Sequence, residues 1–366
     1  MTNNKLLMTA GPTMVSEDVR LARSTRTTNP DIDKDFSKFY DNLCKRISNL
    51  LDTKNETLIL SGEGMLGLDA SICSLTETND RVLIISNGIF GEGFKDLVSL
   101  YGGIPVIFEG CKKNPVNLCD LKDFLEKDSD FKYATLVHCD TPSGILNPAE
   151  NICNLLDEYG IISVVDAVSS FPAEPLSVDK GKIDVCLGAS QKAYSAQTGL
   201  SIVTLSEKAI DSMKSRKTSI SSFYCNLLLF KEYRDMDYFA YTMAISDIIS
   251  LEKAIENIEK EGLENFQARH FENAEILRES IKELGLKTYL ESGFSNTVTA
   301  IELPNHLTDD DFRSYIFDKF GILLSDSLLY LKGHIFRVGH MGENSKKEYL
   351  NLTINAIKDA VSYFEV

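Results

Sequence analysis

The chain has 366 residues, more than one ordinary core accommodates, and its 43% apolar and 25% charged residues are the balance of a globular protein. Its 54 acidic and 38 basic side chains leave a net charge of -16, which argues against nucleic-acid binding as the main task, because a phosphate backbone demands a basic face. The opening Met-Thr-Asn-Asn-Lys-Leu-Leu-Met-Thr-Ala-Gly-Pro has too short an apolar run for a signal peptide, no segment is long enough to span a membrane, and the eight cysteines form no CxxC pair, so a cytoplasmic protein with reduced thiols is expected.

From residue 57 to 205, short apolar runs alternate with amphipathic ones. The runs Thr57–Leu60, Arg81–Ser86, Ile104–Phe108, Tyr133–His138, Ile161–Asp166, Asp184–Gly188 and Leu200–Leu205 are rich in Val and Ile and mostly do not alternate with polar residues. Strands of that kind are buried on both faces, so they predict a mainly parallel seven-stranded sheet covered by helices. Helical spacing over Gly67–Leu75, Gly91–Tyr101, Leu118–Leu125 and Ala149–Tyr159 completes an α/β, doubly wound pattern.

After residue 245 the pattern changes. Ser246–Lys260 and Leu263–Leu284 predict two long helices, the second burying Leu263, Phe266, Phe271, Ala274, Leu277, Ile281 and Leu284. Asn296–Leu303, Thr308–Phe320, Gly321–Leu324, Ile335–Val338 and Lys346–Tyr363 then follow as β, α, β, β, α. The expected division is a large domain over 1–255, with an N-terminal arm, and a smaller C-terminal α+β domain over 256–366.

In open α/β sheets ligands sit beyond the carboxyl ends of the strands, so the residues after each strand carry the chemistry. The first strand leads into Ser61-Gly-Glu-Gly-Met-Leu-Gly, a glycine-rich turn entering a helix, where backbone N–H groups suit a phosphate. By itself this is equally a plain turn. Phe90 follows the second strand and could stack on a flat ring or fill the core. Thr141 and Ser143 follow the fourth, in a Pro- and Gly-containing turn. Asp166 ends an almost wholly apolar run, and a carboxylate there needs a cationic partner unless it caps a helix. Lys192, in Ser190-Gln-Lys-Ala, presents an amine after another buried strand. Each residue separately has an ordinary structural reading. Together, five strand ends supply the parts of one site for pyridoxal 5'-phosphate (PLP): an amine for a Schiff base and a carboxylate to keep the pyridine nitrogen protonated.

These pieces resemble the class V aminotransferases of PLP fold type I, in the group of alanine–glyoxylate, serine–pyruvate and 2-aminoethylphosphonate–pyruvate aminotransferases. The resemblance runs through Gly11-Pro-Thr, Ser61-Gly-Glu-Gly, Ser86-Asn-Gly-Ile-Phe-Gly, His138-Cys-Asp-Thr-Pro-Ser-Gly, Asp166-Ala-Val-Ser-Ser-Phe, Gly188-Ala-Ser-Gln-Lys-Ala, Asn296-Thr-Val-Thr-Ala and Phe336-Arg-Val-Gly-His-Met-Gly. It implies a large PLP-binding domain and a smaller C-terminal one. It implies that Lys192 carries the cofactor, Asp166 pairs with the ring nitrogen, Phe90 stacks on the ring and Thr141 contacts its oxygen side. Gly64, Met65 and Gln191 would hold the phosphate, with Thr242 reaching it from the neighbouring subunit of a homodimer. Arg337 would bind the substrate carboxylate as a bidentate fork.

The implied reaction moves an amino group from a small amino acid, of the alanine or serine type, to a small 2-oxo acid such as glyoxylate or pyruvate. The alternative is 2-aminoethylphosphonate as donor, since Arg337 suits either anion. A cysteine desulfurase is disfavoured, because Gln191 stands where that branch has His and no cysteine follows Cys225. A non-catalytic binding protein that kept the fold draws support only from Glu63. That carboxylate stands where relatives carry a small residue, and it would repel a phosphate dianion unless it points away or meets a cation. Phe239 stands where some relatives place a phosphate-binding Tyr.

Overall fold

The computed structural model describes residues 5–365. A short strand, β1 (Leu6–Met8), precedes the seven strands of the main sheet: β2 (Glu56–Ser61), β3 (Arg81–Ser86), β4 (Ile104–Glu109), β5 (Tyr133–Val137), β6 (Ile162–Asp166), β7 (Val185–Ala189) and β8 (Leu200–Leu205). Their spatial order is β2-β8-β7-β6-β5-β3-β4. Neighbours from β7 to β4 pair in parallel, as the apolar runs predict, whereas β8 is antiparallel to both β2 and β7. The cause is length. Residues 190–199 are too few for a crossover helix, so the chain must double back.

Strands β5 to β8 are buried along their whole length. The edge strand β4 is not: Ile104 and Ile107 stay exposed, because only β3 flanks it. Besides the short helices Glu17–Ala22 and Val178–Gly181, five helices of ten or more residues lie before or between the strands in sequence: α1 (Lys34–Leu50), α2 (Gly64–Leu75), α3 (Ile89–Leu100), α4 (Leu118–Lys127) and α5 (Ala149–Glu158). The sequence reading assigns no element to α1. Its buried stripe of Phe36, Tyr40, Leu43 and Ile47 is interleaved with buried Ser37 and Ser48, which dilutes the apolar period, though Asp33 caps it by accepting the Asp35 and Phe36 N–H groups.

The C-terminal part begins with the two long helices α6 (Ile245–Glu261) and α7 (Leu263–Glu283), followed by β9 (Lys287–Thr288), β10 (Val298–Glu302), α8 (Asp309–Phe320), β11 (Ile322–Leu324), β12 (Ile335–Gly339) and α9 (Lys347–Tyr363). Strands β9, β10 and β12 form a small antiparallel sheet. The N-terminal strand β1 pairs in parallel with β11, and Met8 joins the core of Leu277, Phe312, Phe336 and Ile357. Strand β1 therefore closes on the last lobe rather than on the main sheet.

One side chain of the expected α7 face is misplaced. Phe271 is 54% exposed, and His270 and Asn273 occupy the buried stripe between Phe266 and Leu277. Steps of three and four residues run 266, 270, 273, 277, 281, and Phe271 falls outside them. The buried imidazole is fully used. The Gly342 N–H donates to Nε2 at 2.8 Å, which leaves the proton on Nδ1 to donate to the Phe266 carbonyl at 2.6 Å. Burial pushes the pKa of His270 down to about 3, so it stays neutral.

Candidate active site

A parallel sheet delivers its carboxyl ends to one edge, so residues far apart in sequence meet there. In this chain the ends of β2, β3, β5, β6 and β7 border a cavity of about 350 Å³. Of the residues singled out from the sequence, Gly64, Met65, Phe90, Thr141, Asp166, Gln191 and Lys192 line it, and Arg337 and Thr242 do not.

Lys192 lies on the loop after β7 and is half-buried. Its Nζ donates to the Ala10 carbonyl at 2.7 Å. The N-terminal segment passes directly over it. A Cβ added to Gly11 would stand 2.4 Å from Lys192 Cδ and 2.7 Å from Nζ, and Gly11 has φ +100°. Only glycine combines that backbone conformation with that approach. Thr13 fastens the strap: its N–H donates to Gln191 O at 3.0 Å and its hydroxyl to Lys192 O at 3.1 Å. The sequence reading carries Gly11-Pro-Thr as a shared motif without a role. Burial disfavours the ammonium and the nearby Arg337 charge adds to the effect, so the Lys192 amine is lowered from 10.5 to about 8.

Asp166 ends β6 and is 6% exposed. One carboxylate oxygen accepts the Val168 N–H at 2.9 Å, and no donor among the described residues reaches the other. Burial holds this carboxyl up at about 6, against the pull of the Val168 N–H and of Lys192. Near neutral pH the group is therefore mostly an anion with one oxygen still open to a cationic N–H.

Thr141 and Ser169 share a hydroxyl–hydroxyl hydrogen bond on the cavity wall. Ser169 is missing from the sequence reading's site, although it lies in the quoted run after Asp166. Phe90 enters the cavity from the first turn of α3, whose start at Gly88 has no side-chain cap of its own. Asp140 supplies one from another loop, accepting the Phe90 N–H at 2.8 Å and the Ser143 hydroxyl at 2.8 Å. Gly88 must be small, since a Cβ there would stand 2.3 Å from the Asp140 carboxyl carbon. Asp140 too was not singled out. The sequence marks it only as a short acid in a turn, and does not show which helix it caps.

Arg337 comes from β12 of the small sheet and is 7% exposed. It sits behind Thr141: Nη1 donates to the Thr141 carbonyl at 3.1 Å and Nε to the Asp326 carbonyl at 2.6 Å. Two backbone carbonyls thus fix the plane of the guanidinium, and Nη2 has no protein acceptor among the described residues. On the cavity lining, the Gly64 and Met65 N–H groups at the start of α2 also find no acceptor among the described residues. Gln191 donates from Nε2 to a Glu63 carboxylate oxygen at 3.3 Å, and its Oε1 is buried without a donor. Thr242 is exposed, two residues before Ala244, whose N–H donates to Ser61 Oγ at 2.9 Å. Phe239 turns away from the cavity, edge-on against Tyr40 with ring centroids 5.0 Å apart. No helix among the described residues is long and apolar enough to cross a membrane.

Comparison with known proteins identifies the family and the fold. Residues 20–326 match the family model described as aminotransferase class-V. An uncharacterized aminotransferase of Methanocaldococcus jannaschii is 32% identical over 94% of this chain and 90% of its own length. The pyridoxamine–pyruvate transaminase of Mesorhizobium japonicum is 27% identical over 98% of this chain and 91% of its own. The crystal structure of alanine–glyoxylate aminotransferase from Nostoc sp. superposes with a TM-score of 0.94 at 27% identity, over 99% of this chain and 96% of that one. The chain belongs to the class-V aminotransferase family, in the group that holds the alanine–glyoxylate and pyridoxamine–pyruvate enzymes, and has the fold type I architecture.

Proposed function

We propose that this chain is a PLP-dependent transaminase that moves an amino group from a small amino acid, of the alanine or serine type, to a small 2-oxo acid such as glyoxylate or pyruvate. The observation that carries the reading is the meeting of one lowered amine and one buried carboxylate on a single cavity wall. PLP, when bound, supplies a ring that accepts the electron pair left on the substrate Cα.

The chain's own groups then have separable tasks. Asp166 holds a proton on the pyridine nitrogen through its open carboxylate oxygen. Lys192 Nζ carries the proton taken from the substrate Cα, for which a pKa near 8 suits it at neutral pH. Thr141 and Ser169 would hydrogen-bond to the ring's oxygen substituent, and Phe90 would stack on the ring. Arg337 Nη2, held in plane by the two carbonyls, takes the substrate carboxylate. The ring end of the cavity fits the cofactor. The Gly64 and Met65 N–H groups suit a phosphate, but the Glu63 carboxylate beside them does not.

In this reading the enzyme works as a homodimer in the cytoplasm, with Thr242 completing the partner's cofactor site. Exposed Phe223, Tyr224 and Tyr238 near that segment are the apolar surface such a dimer would cover. The test is product profiling with L-alanine, L-serine and 2-aminoethylphosphonate against glyoxylate and pyruvate. Exclusive use of the phosphonate would replace the amino-acid donor. A second reading is favoured by Glu63: pyridoxamine, the substrate named for the Mesorhizobium relative, is itself the donor to pyruvate.

A further inference from the structure

Glu63 is the N-cap residue of α2, and its side chain caps no N–H of that helix. It lines the cavity at the end where the Gly64 and Met65 N–H groups are free. Its carboxylate has one polar partner among the described residues, Gln191 Nε2 at 3.3 Å, and it forms no ion pair there. Among the described residues Lys192 is the only Lys, Arg or His on the cavity lining, and Glu63 and Asp166 are both acids. Two carboxylates against one amine leave no spare positive charge for a phosphate dianion. Thr242, the residue read as reaching in from a second subunit, adds none.

Gln191 sharpens the conflict. The amide must turn Nε2 toward the Glu63 anion, since the reverse would bring its carbonyl oxygen against a carboxylate. That orientation leaves Oε1 buried and without a donor. An orphaned acceptor beside a carboxylate asks for a hydroxyl or N–H, and a phosphate dianion has no proton to donate. A free helix N-terminus favours an anion, and Glu63 already places one there.

We infer that Glu63 and Gln191 are the specificity-determining pair for the 5' substituent of the bound vitamin B6 ring, and that they select a neutral 5'-hydroxymethyl group over a 5'-phosphate. This rests on the part of the reading above that places the ring between Lys192 and Asp166, and it takes up the second reading of the donor: unphosphorylated pyridoxamine stands in place of the amino acid, with no resident 5'-phosphate. The exchange balances without another reactant. Pyridoxamine gives its amino group to pyruvate and becomes pyridoxal, while pyruvate becomes alanine, with two electrons passing from the donor carbon to the keto carbon.

The experiment uses the full-length protein cleared of bound vitamer with hydroxylamine. Pyridoxal and PLP are titrated into it separately by calorimetry, and the borohydride-reduced adduct is mapped by mass spectrometry. Pyridoxal should bind at least as tightly as PLP. Glu63→Ser and Glu63→Gln should each tighten PLP by about tenfold or more while changing pyridoxal by less than about threefold, as expected for removing one close like charge. The wild-type protein should convert pyridoxamine and pyruvate to pyridoxal and alanine. The inference is overturned if the wild type prefers PLP by more than about tenfold, or if neither Glu63 variant moves the ratio. In that outcome a Lys192 adduct with PLP would still support the transaminase reading. Failure of both aldehydes to form an adduct at Lys192 would overturn the two together.

Discussion

The inner wall of the cavity and its outer rim are built by different rules. The inner wall rests on strand ends: Asp166 closes β6, Lys192 follows β7, and Thr141 follows β5. These backbones are anchored on both sides by the sheet, and most of their side chains are buried with assigned partners. The rim rests on a helix start and on connecting segments, and Glu63, Met65, Thr198 and Thr242 there are exposed. Rigid placement suits groups that move a proton or hold a charge to within fractions of an ångström. The rim has no such demand, so it can change what is admitted without disturbing the chemistry. On this division, inner-wall substitutions should lower turnover and rim substitutions should alter affinity and preference.

The comparison is best attacked from its strongest member. Lys192→Ala should lower transamination by about 10³-fold or more in single-turnover assays and leave no reducible adduct, with the folded circular dichroism spectrum retained. Appreciable turnover in that variant would remove the basis of the inner wall. Asp166→Asn should cost about 10²-fold in turnover, because the ring nitrogen loses the anion that keeps it protonated. A variant as active as wild type would show that the open Asp166 oxygen faces nothing that matters.

Arg337→Lys should raise KM for the 2-oxo acid by about tenfold, with a smaller change in kcat, since an ammonium cannot reproduce the planar fork held by the Thr141 and Asp326 carbonyls. A large fall in kcat at unchanged KM would mean that Arg337 acts on the reacting atoms and not on binding. The pH response gives a gentler test. With the cofactor removed, the lowered pKa means that Lys192 sheds its proton as pH rises through about 8, earlier than the 10.5 of an ordinary lysine. Competitive acetylation should therefore reach half its plateau rate near pH 8, and a midpoint near the ordinary value would place the amine in water. The same sign applies to stability. Between about 8 and 10.5 the unfolded amine holds more protons than the folded one, so this group adds stability as pH rises through that window.

Thr242→Ala should have the smallest effect. It would weaken cofactor binding about threefold in the dimer, the loss of one hydroxyl hydrogen bond, and leave kcat at saturating cofactor unchanged. An effect on kcat as deep as that of Asp166→Asn would erase the distinction between rim and inner wall.

Much of this was legible along the chain. The Val- and Ile-rich runs carry the parallel sheet, because a strand buried on both faces cannot afford polar alternation. Lys192 and Asp166 stand out because each is a charged group at the end of such a run, where an unpartnered charge is expensive. Glu63 stands out only through the resemblance, as a carboxylate where relatives carry a small residue beside a phosphate-type turn. Three things were not legible. Helix α1 mixes serines into its buried stripe, His270 displaces Phe271 on α7, and Asp140 caps a helix 50 residues away in sequence. Each depends on a partner supplied by another element, and a single-chain pattern records only what a residue is.

What the sequence determined by itself, then, was the sheet, the order of its elements and the kind of group each strand end offers, since those follow from local period and from the cost of burying charge. Tertiary structure alone decided that the N-terminal strand closes on the last lobe, that Gly11 is pressed against the reactive amine, and that Arg337 is levelled by the Thr141 and Asp326 carbonyls. Except for the Asp326 carbonyl, 11 positions from Arg337, the partners in these contacts lie far apart along the chain, 182 positions for Lys192 and Ala10 and 196 for Arg337 and Thr141, and only the packing of the two lobes brings them within hydrogen-bond reach.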